Sequence, residues 1–286
     1  MVQNIIDTHI HIWDLKRVRY AWLEGDTSIL NRTYLVEELI PQMKLSPVTG
    51  GVLVQAANNP EDTALMLEAA RSHPEIKGVV GWLPLTDPDK TAELLENQFQ
   101  KEPLLKGVRH LIHNESNPQW LLQDTVLESL RLLASKDIPY DIVGVKDEHL
   151  KTAIRVSEAI PTLRLVLDHL NQPPIANRIK FGLWGDLIKE ISGNENVYAK
   201  ISGLGTASGN PGGWTAEDIS PYIAFVFSCF GVNRCFCGGD WPVSTLAGSY
   251  ISQWEKYTQS INSLLQEEDT HKVYYENAGR FYNLTT

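Results

Sequence analysis

Cysteine is scarce in this chain of 286 residues, which has only three, at Cys229, Cys235 and Cys237. Three cysteines this close together are too few for the disulfide framework of a small secreted protein. Cys235 and Cys237 would lie on one face of a strand, where a pair without further cysteines indicates buried packing rather than a metal site. We therefore expect a protein of the reducing cytoplasm, without disulfide bonds.

Long apolar runs are also missing, since no stretch approaches the roughly 20 apolar residues of a membrane-spanning helix. The first residues, Met1 to Asp7, have no basic start and no small-residue cleavage site, so they predict no signal peptide. Lys and Arg number 25 against 35 Asp and Glu, which gives a net charge of −10. Because the basic residues are also scattered, we expect neither nucleic acid nor anionic membrane as a partner. A homo-oligomer stays open.

What the chain does have is an alternation of short apolar runs and helical patterns. Hydrophobic residues make up 43% of the sequence, enough for a sizeable core. Near-continuous apolar strands between helices imply a parallel sheet covered by helices. Eight such strands in this length favour the α/β class and a single (β/α)8 TIM barrel, with residues 1–286 as one domain. The predicted strands are 4–12, 50–56, 77–85, 105–112, 139–145, 163–170, 197–201 and 234–238, and helices are predicted at 60–71, 87–100, 119–135 and 146–160.

The alternative architecture is an open, doubly wound sheet that binds a dinucleotide. Such a sheet needs a glycine-rich turn after its first strand. Here the first strand runs instead into His-Ile-His-Ile-Trp-Asp at residues 9–14. The loop that follows, at about 13–31, carries Trp13, Tyr20 and Trp22, and loops after barrel strands form the substrate-binding face. These aromatic residues either cover the pocket as a lid or pack the loop onto the barrel rim.

Four residues at predicted strand ends have side chains suited to metal binding or proton transfer. His9 and His11 are two apart, so both side chains project from the same face of the first strand. Imidazole is the commonest metal ligand, although a lone His-x-His also occurs on ordinary strands. Asp240 follows two glycines at the end of the eighth strand, where it either serves a ligand or caps a turn. Asp168 and His169 end the sixth strand, and since neighbours on a strand face opposite ways we expect only His169 to point into the barrel mouth.

Further polar residues end other predicted strands. Arg109 and His110 close the fourth strand, and an arginine there can clamp a carboxylate or polarise a carbonyl. One of that pair is expected to face the helices. His113, in the next loop, is able to reach inward. As further substrate-binding residues we predict His110, Gln55, Asn58, Trp82, Lys200 and Trp241.

Five motifs in order carry a resemblance to a known family. They are Asp-Thr-His-Ile-His-Ile-Trp-Asp (7–14), Gly-Val-Arg-His (107–110), Leu-Asp-His-Leu (167–170), Lys-Ile-Ser-Gly-Leu (200–204) and Gly-Gly-Asp-Trp-Pro-Val (238–243). Together they resemble the amidohydrolase-2 branch of the amidohydrolase superfamily. Within it the chain looks most like sugar-acid lactonases, of the fuconolactonase-like and rhamnonolactonase-like kinds. The resemblance covers about residues 5–284 and implies a barrel that hydrolyses a sugar-acid lactone to the open-chain acid.

The resemblance also implies roles for individual residues. His9, His11, His169 and Asp240 match a metal-ligand set, with one divalent metal, zinc first among the candidates, and a metal-independent reaction left open. Asp240 would activate water while His169 and Arg109 act on the carbonyl, and Arg109 and His110 match residues that contact substrate. The fifth strand departs from the superfamily, because it offers only Asp141 where many members have a metal-binding histidine. No binuclear site is expected, since the bridging residue after the fourth strand is also missing.

Other functions remain compatible with the same sequence. A metal-dependent decarboxylase or an amide hydrolase would use the same barrel, although both would favour a more firmly held metal. A non-catalytic sugar-acid binding protein is the alternative of another class. It would have little need for His9, His11, His169 and Asp240 together at strand ends.

Overall fold

Eight parallel strands form one sheet, in which each strand pairs with the next along the chain. A computed structural model describes residues 4–284. The sheet closes because Ile10 pairs in parallel with Trp241, just beyond the last strand. The predicted single (β/α)8 TIM barrel is therefore confirmed. Two short ranges lie outside the described residues. They are 1–3, which belong to the segment predicted to be no signal peptide, and 285–286, the end of the predicted domain. The strands are β1 (Ile5–Ile10), β2 (Val48–Val54), β3 (Ile76–Gly81), β4 (Leu105–His110), β5 (Tyr140–Val143), β6 (Leu165–Asp168), β7 (Val197–Ile201) and β8 (Cys235–Cys237).

Helices pack around the outside of the barrel, and the four predicted ones are all present. Two of them begin as their sequences suggest. Asn59 accepts a hydrogen bond from the Asp62 backbone N–H, and the Asp87 side chain accepts one from that of Lys90. In the described part of the chain no helix combines the length and apolar character needed to cross a membrane. The helices are α1 (Val36–Lys44), α2 (Pro60–Ser72), α3 (Pro88–Leu94), α4 (Asp124–Ser135), α5 (Asp147–Ala159), α6 (Gly182–Ile191), α7 (Leu204–Ala207), α8 (Ala216–Phe230), α9 (Tyr250–Leu264), α10 (Glu267–His271) and α11 (Asn277–Phe281).

The C-terminal segment closes one end of the barrel. The rings of Phe281 and Tyr282 pack against Phe236 of β8, with centroids 5.2 and 5.7 Å away. Arg164, just before β6, donates a hydrogen bond to the Phe281 carbonyl, which fixes this segment at the N-terminal ends of the strands. The cavity among the described residues lies at the opposite end, where the loops after the strands meet.

Candidate active site

The last turns of β1 and β8 bring His9, His11 and Asp240 together. The Asp240 backbone N–H donates to the His9 carbonyl at 2.7 Å, which ties the two strand ends to each other. Asp240 Oδ1 then lies 3.5 Å from His11 Nε2 and 3.8 Å from His9 Nε2. Gly238 makes this approach possible, since a Cβ there would lie 2.5 Å from His9 Cβ. The missing side chain of Gly238 thus admits β1.

The hydrogen bonds around the two histidines define their protonation. His11 Nδ1 lies 2.7 Å from the Val54 carbonyl, which can only accept, so Nδ1 carries a proton, and in the neutral ring Nε2 has a lone pair. Arg109 can only donate, and its NH1 lies 3.2 Å from His9 Nε2, so that nitrogen is also a lone pair. The two lone pairs are 3.1 Å apart. A cation between them would remove their repulsion.

This donor set fits a divalent metal. One ligand atom from each of His9, His11 and Asp240 lies within 4.8 Å of the others, and all three residues are buried. Three protein ligands with an open position are the usual arrangement of a catalytic metal. His169 is not part of this group, although its Nε2 lies 3.9 Å from Asp240 Oδ1.

Asp168 lies beneath His9 in the barrel interior. Its carboxylate is 3.4 Å from His9 Nδ1, 2.8 Å from Lys200 Nζ and 2.9 Å from Arg109 NH1. Burial acts to raise the pKa of Asp168, but Lys200, His9 and Arg109 together hold it well below its usual range. The ionised carboxylate lies where it can accept a proton from His9 Nδ1. A carboxylate in this position holds a metal-binding histidine in the right tautomer.

Lys200 bridges Asp168 to a second buried carboxylate. Its Nζ is 2.6 Å from Asp141 Oδ2, which also accepts a hydrogen bond of 2.6 Å from the Tyr282 hydroxyl. Burial raises the pKa of Asp141 to about 6, although Lys200 lowers it. Asp141, the possible ligand of the fifth strand, is therefore engaged with Lys200 and lies outside the three-residue group.

Asp168 and His169 both point into the barrel, but only His169 lines the cavity at its mouth, and Asp168 lies beneath it. Strand β6 ends at Asp168, and His169 has a φ of 53°, which breaks the alternation of side chains. The left-handed conformation continues through Leu170, Asn171 and Gln172, with φ values of 51°, 52° and 52°. The turn swings the His169 ring back over the mouth, 4.5 Å from the His9 ring.

A hydroxyl group orients the His169 ring. Ser202 Oγ accepts the His169 backbone N–H at 3.2 Å and lies 2.9 Å from its Nδ1. The Ser202 hydrogen is free to point at Nδ1, and in that arrangement Nε2 carries the ring proton. Burial lowers the pKa of His169, an effect that Asp240 opposes. A neutral His169 can thus present an N–H toward the mouth.

A cavity of about 260 Å³ opens above this cluster. Its floor contains two of the three candidate metal ligands, His11 and Asp240, together with Arg109 and His169. Ligand pockets for larger molecules begin at about 300 Å³, so this one suits a single small ring. Most of its wall is apolar, and His113 and Trp22 also contribute to it. The apolar side chains are Ala56, Leu111, Val143, Val145, Val243 and Leu246.

The six residues predicted to contact substrate surround this cavity without lining it. Arg109 points inward, so His110 faces the helices, where it stacks on Trp120 at 3.9 Å. Three others act as supports: Trp82 Nε1 donates to His110 Nδ1 at 3.1 Å, Asn58 Nδ2 lies 3.0 Å from its Nε2, and Gln55 accepts from Arg109 at 3.2 Å. The remaining two are Lys200, buried below the floor, and Trp241, packed on Tyr34.

The long loop after β1 reaches the cavity through one aromatic residue. Trp22 lines the cavity, and its Nε1 donates to the Ala56 carbonyl at 2.8 Å. Trp13 and Tyr20 pack behind it as rim residues, Trp13 in edge-to-face contact with Trp22 at 5.3 Å. Both readings of the loop thus hold, each for different residues. The apolar wall carried no sequence signal, because valines and leucines after strands look like ordinary core.

Comparisons with known proteins agree with this geometry. The family model described as amidohydrolase matches residues 6–284. The chain is 30% identical to an L-fucono-1,5-lactonase of Burkholderia ambifaria, over 98% of this chain and 95% of the relative. It is 26% identical to an L-rhamnono-gamma-lactonase of Scheffersomyces stipitis, over 98% and 99%. A solved amidohydrolase from Burkholderia multivorans with bound zinc superposes with a TM-score of 0.89, at 28% identity and 98% and 99% coverage. The chain therefore belongs to the amidohydrolase family.

Proposed function

We propose that this protein is a hydrolase that opens a sugar-acid lactone to the open-chain acid. The observation that carries the proposal is the floor of the cavity. There Asp240 lies beside His11 and His169, and the cavity has room for one small ring. The similarity to lactonases named for L-fucono and L-rhamnono substrates supports the choice of a sugar-acid lactone.

Asp240 is the proposed general base. Its carboxylate lines the cavity, so a water molecule there can reach it with a hydrogen bond. Asp240 takes one proton from the water as the oxygen attacks the carbonyl carbon of the lactone. The bond between that carbon and the ring oxygen then breaks, and Asp240 returns the proton to the ring oxygen. Water and lactone are consumed, and a hydroxy acid is formed.

His169 and Arg109 are the proposed donors to the carbonyl oxygen. Both line the cavity next to Asp240, and preorganised donors stabilise the negative charge that develops there. Arg109 does not need to move, because Asp168 and Gln55 hold its guanidinium group in place.

The metal that we propose for this site is zinc, held by His9, His11 and Asp240, with His169 beside them. Bound there, it would lower the pKa of a water molecule toward neutrality and polarise the carbonyl. The zinc in the solved relative supports this choice. The proposal also includes a single domain of residues 1–286. It includes a cytoplasmic location, because a reducing compartment keeps the three cysteines free. A homo-oligomer is compatible with it.

Acid release from a panel of aldono-lactones, followed with a pH indicator, tests the proposal. We expect Asp240→Asn to lower kcat/KM about 10²–10⁴-fold, the usual contribution of a general base. Asp87→Asn is the matched control, because it makes the same chemical change at the exposed start of α3 and asparagine still caps a helix. Equal activity of Asp240→Asn and wild type would show that another group is the base. If the wild type acts on no lactone, lactone hydrolysis is wrong.

A further inference from the structure

His113 is the polar exception in an apolar part of the cavity wall. It lies in the short turn Ile112–Asn114 after β4 and lines the cavity near Leu111, Val143 and Val145. A ligand with a polar group at this position would give it a partner.

The ring of His113 has no partner within residues 4–284. Its Nδ1 is buried without a hydrogen bond. Each of the other histidines has a ring nitrogen in a hydrogen bond or an ion pair. His113 Nε2 is not among the buried unpartnered atoms, so it is the accessible ring nitrogen of a residue that lines the cavity. Ring nitrogens of buried or half-buried histidines usually have partners, so an accessible one without a partner in a cavity wall is available to a ligand.

The surroundings of His113 keep it neutral. Burial lowers its pKa to about 4, and the charge of Arg109 acts in the same direction. A neutral imidazole forms no ion pair with a carboxylate and is not a strong enough acid to deliver a proton near pH 7. It can exchange one hydrogen bond at Nε2, and a hydroxyl group, which both donates and accepts, matches it in either tautomer.

We infer that His113 determines specificity by binding one hydroxyl group of the lactone. The inference rests on the proposed function and deepens it. It makes a hydroxylated lactone the substrate, in preference to the analogue that lacks that one hydroxyl. Sites that hydrogen-bond a substrate hydroxyl reject the analogue without it, because their own polar group is then left unpaired.

The test compares an aldono-lactone with its monodeoxy analogues, one for each hydroxyl position. The proteins are wild type, His113→Phe and His113→Gln, with His271→Phe as a control that removes an exposed histidine. Wild-type kcat/KM should fall about 10–100-fold for one deoxy analogue. His113→Phe should have a kcat/KM on the parent lactone that is lower by a similar factor. It should hydrolyse the parent lactone and that deoxy analogue with equal kcat/KM. His113→Gln, which keeps an amide near the Nε2 position, should recover part of the preference, and the control should match wild type.

Two results would overturn the inference. One is a uniform loss for His113→Phe on all lactones, which would indicate a role in shape alone, and the other is no loss on any. If the wild type hydrolyses no lactone, the proposed function fails, and calorimetric binding of the open-chain acids still tests His113. Weaker binding of the hydroxylated acid by His113→Phe, with no change for one deoxy acid, would support the contact. The contact would be refuted if both proteins bind the hydroxylated acid equally well, or if neither protein binds it.

Discussion

Asp168→Asn removes one charge from a balanced buried group. Asp168 and Asp141 face Lys200 and Arg109, and all four side chains are nearly inaccessible to solvent. Asparagine has almost the same shape, so the substitution leaves a cation without its counter-charge. Breaking a buried ion pair by removing one partner costs about 3–5 kcal/mol. We expect the free energy of unfolding to fall by about that amount.

The same substitution acts on His9. An amide can face His9 Nδ1 with its NH2 group, which favours the tautomer that has the proton on Nε2. That proton would point at His11 Nε2, 3.1 Å away, and would occupy the place where we propose the metal. Loss of a carboxylate behind a metal-binding histidine weakens metal affinity about 10–100-fold. Asp168 is in this sense a positioning residue.

Three measurements separate the two effects. Urea denaturation gives the free energy of unfolding, competition with a chelator gives the zinc affinity, and the ¹⁵N shifts of His9 report its tautomer. Asp141→Asn is the matched control, because Asp141 shares Lys200 with Asp168 but, within residues 4–284, forms neither a hydrogen bond nor an ion pair with His9. The control should lose stability and keep its zinc affinity. Unchanged zinc affinity and tautomer in Asp168→Asn would refute the positioning role, whatever the stability.

Three further expectations concern the same site. Gly203→Ala should lower the free energy of unfolding by about 1–2 kcal/mol, because φ is 62° at this position. It should also lower kcat/KM, because the new Cβ would lie 2.6 Å from His169 Nδ1. A normal melting temperature and normal activity would contradict this prediction. Zinc at about 100 times its Kd should stabilise the chelator-treated protein by about 2.7 kcal/mol, and His11→Ala should abolish the shift in thermal unfolding. Since the pKa of His113 is lowered to about 4 from 6.5, the unfolded chain binds more protons between these values. The free energy of unfolding should thus fall as the pH is lowered from 6.5 to 4, and it should fall more steeply in the wild type than in His113→Phe, by up to about 1.4 kcal/mol per pH unit. Equal slopes in the two proteins would show that burial does not lower the pKa of His113.

Much of the barrel was predictable because its strands are buried on both faces. Runs such as Val197–Ile201 appear in the sequence at their observed bounds. The prediction was too long where a strand continues into apolar wall residues, as at β5, which ends at Val143 while the apolar run goes on to Val145. Hydrophobicity shows that such residues are buried, but it does not distinguish a strand from the lining of a cavity.

Pairing between distant strand ends was harder to predict than the strands themselves. Lys200 and Gln55 were expected to meet the substrate, because each ends a strand with a polar side chain. In the structure Lys200 pairs with Asp141 and Asp168, and Gln55 holds Arg109. Which buried charge finds which partner depends on the register between strands far apart in sequence, and residue types alone do not specify it.

The turn after β6 shows why the alternation rule failed where function is proposed. Four consecutive residues from His169 to Gln172 have positive φ, a conformation that costs roughly 1–2 kcal/mol for each residue other than glycine. Such strain persists only where its surroundings hold it. Here Ser202 accepts the His169 N–H, and Trp184 donates to the Leu170 carbonyl at 2.8 Å. An unstrained strand would send Asp168 and His169 to opposite faces. The strained turn lets one strand end provide both the carboxylate beneath His9 and the histidine above it.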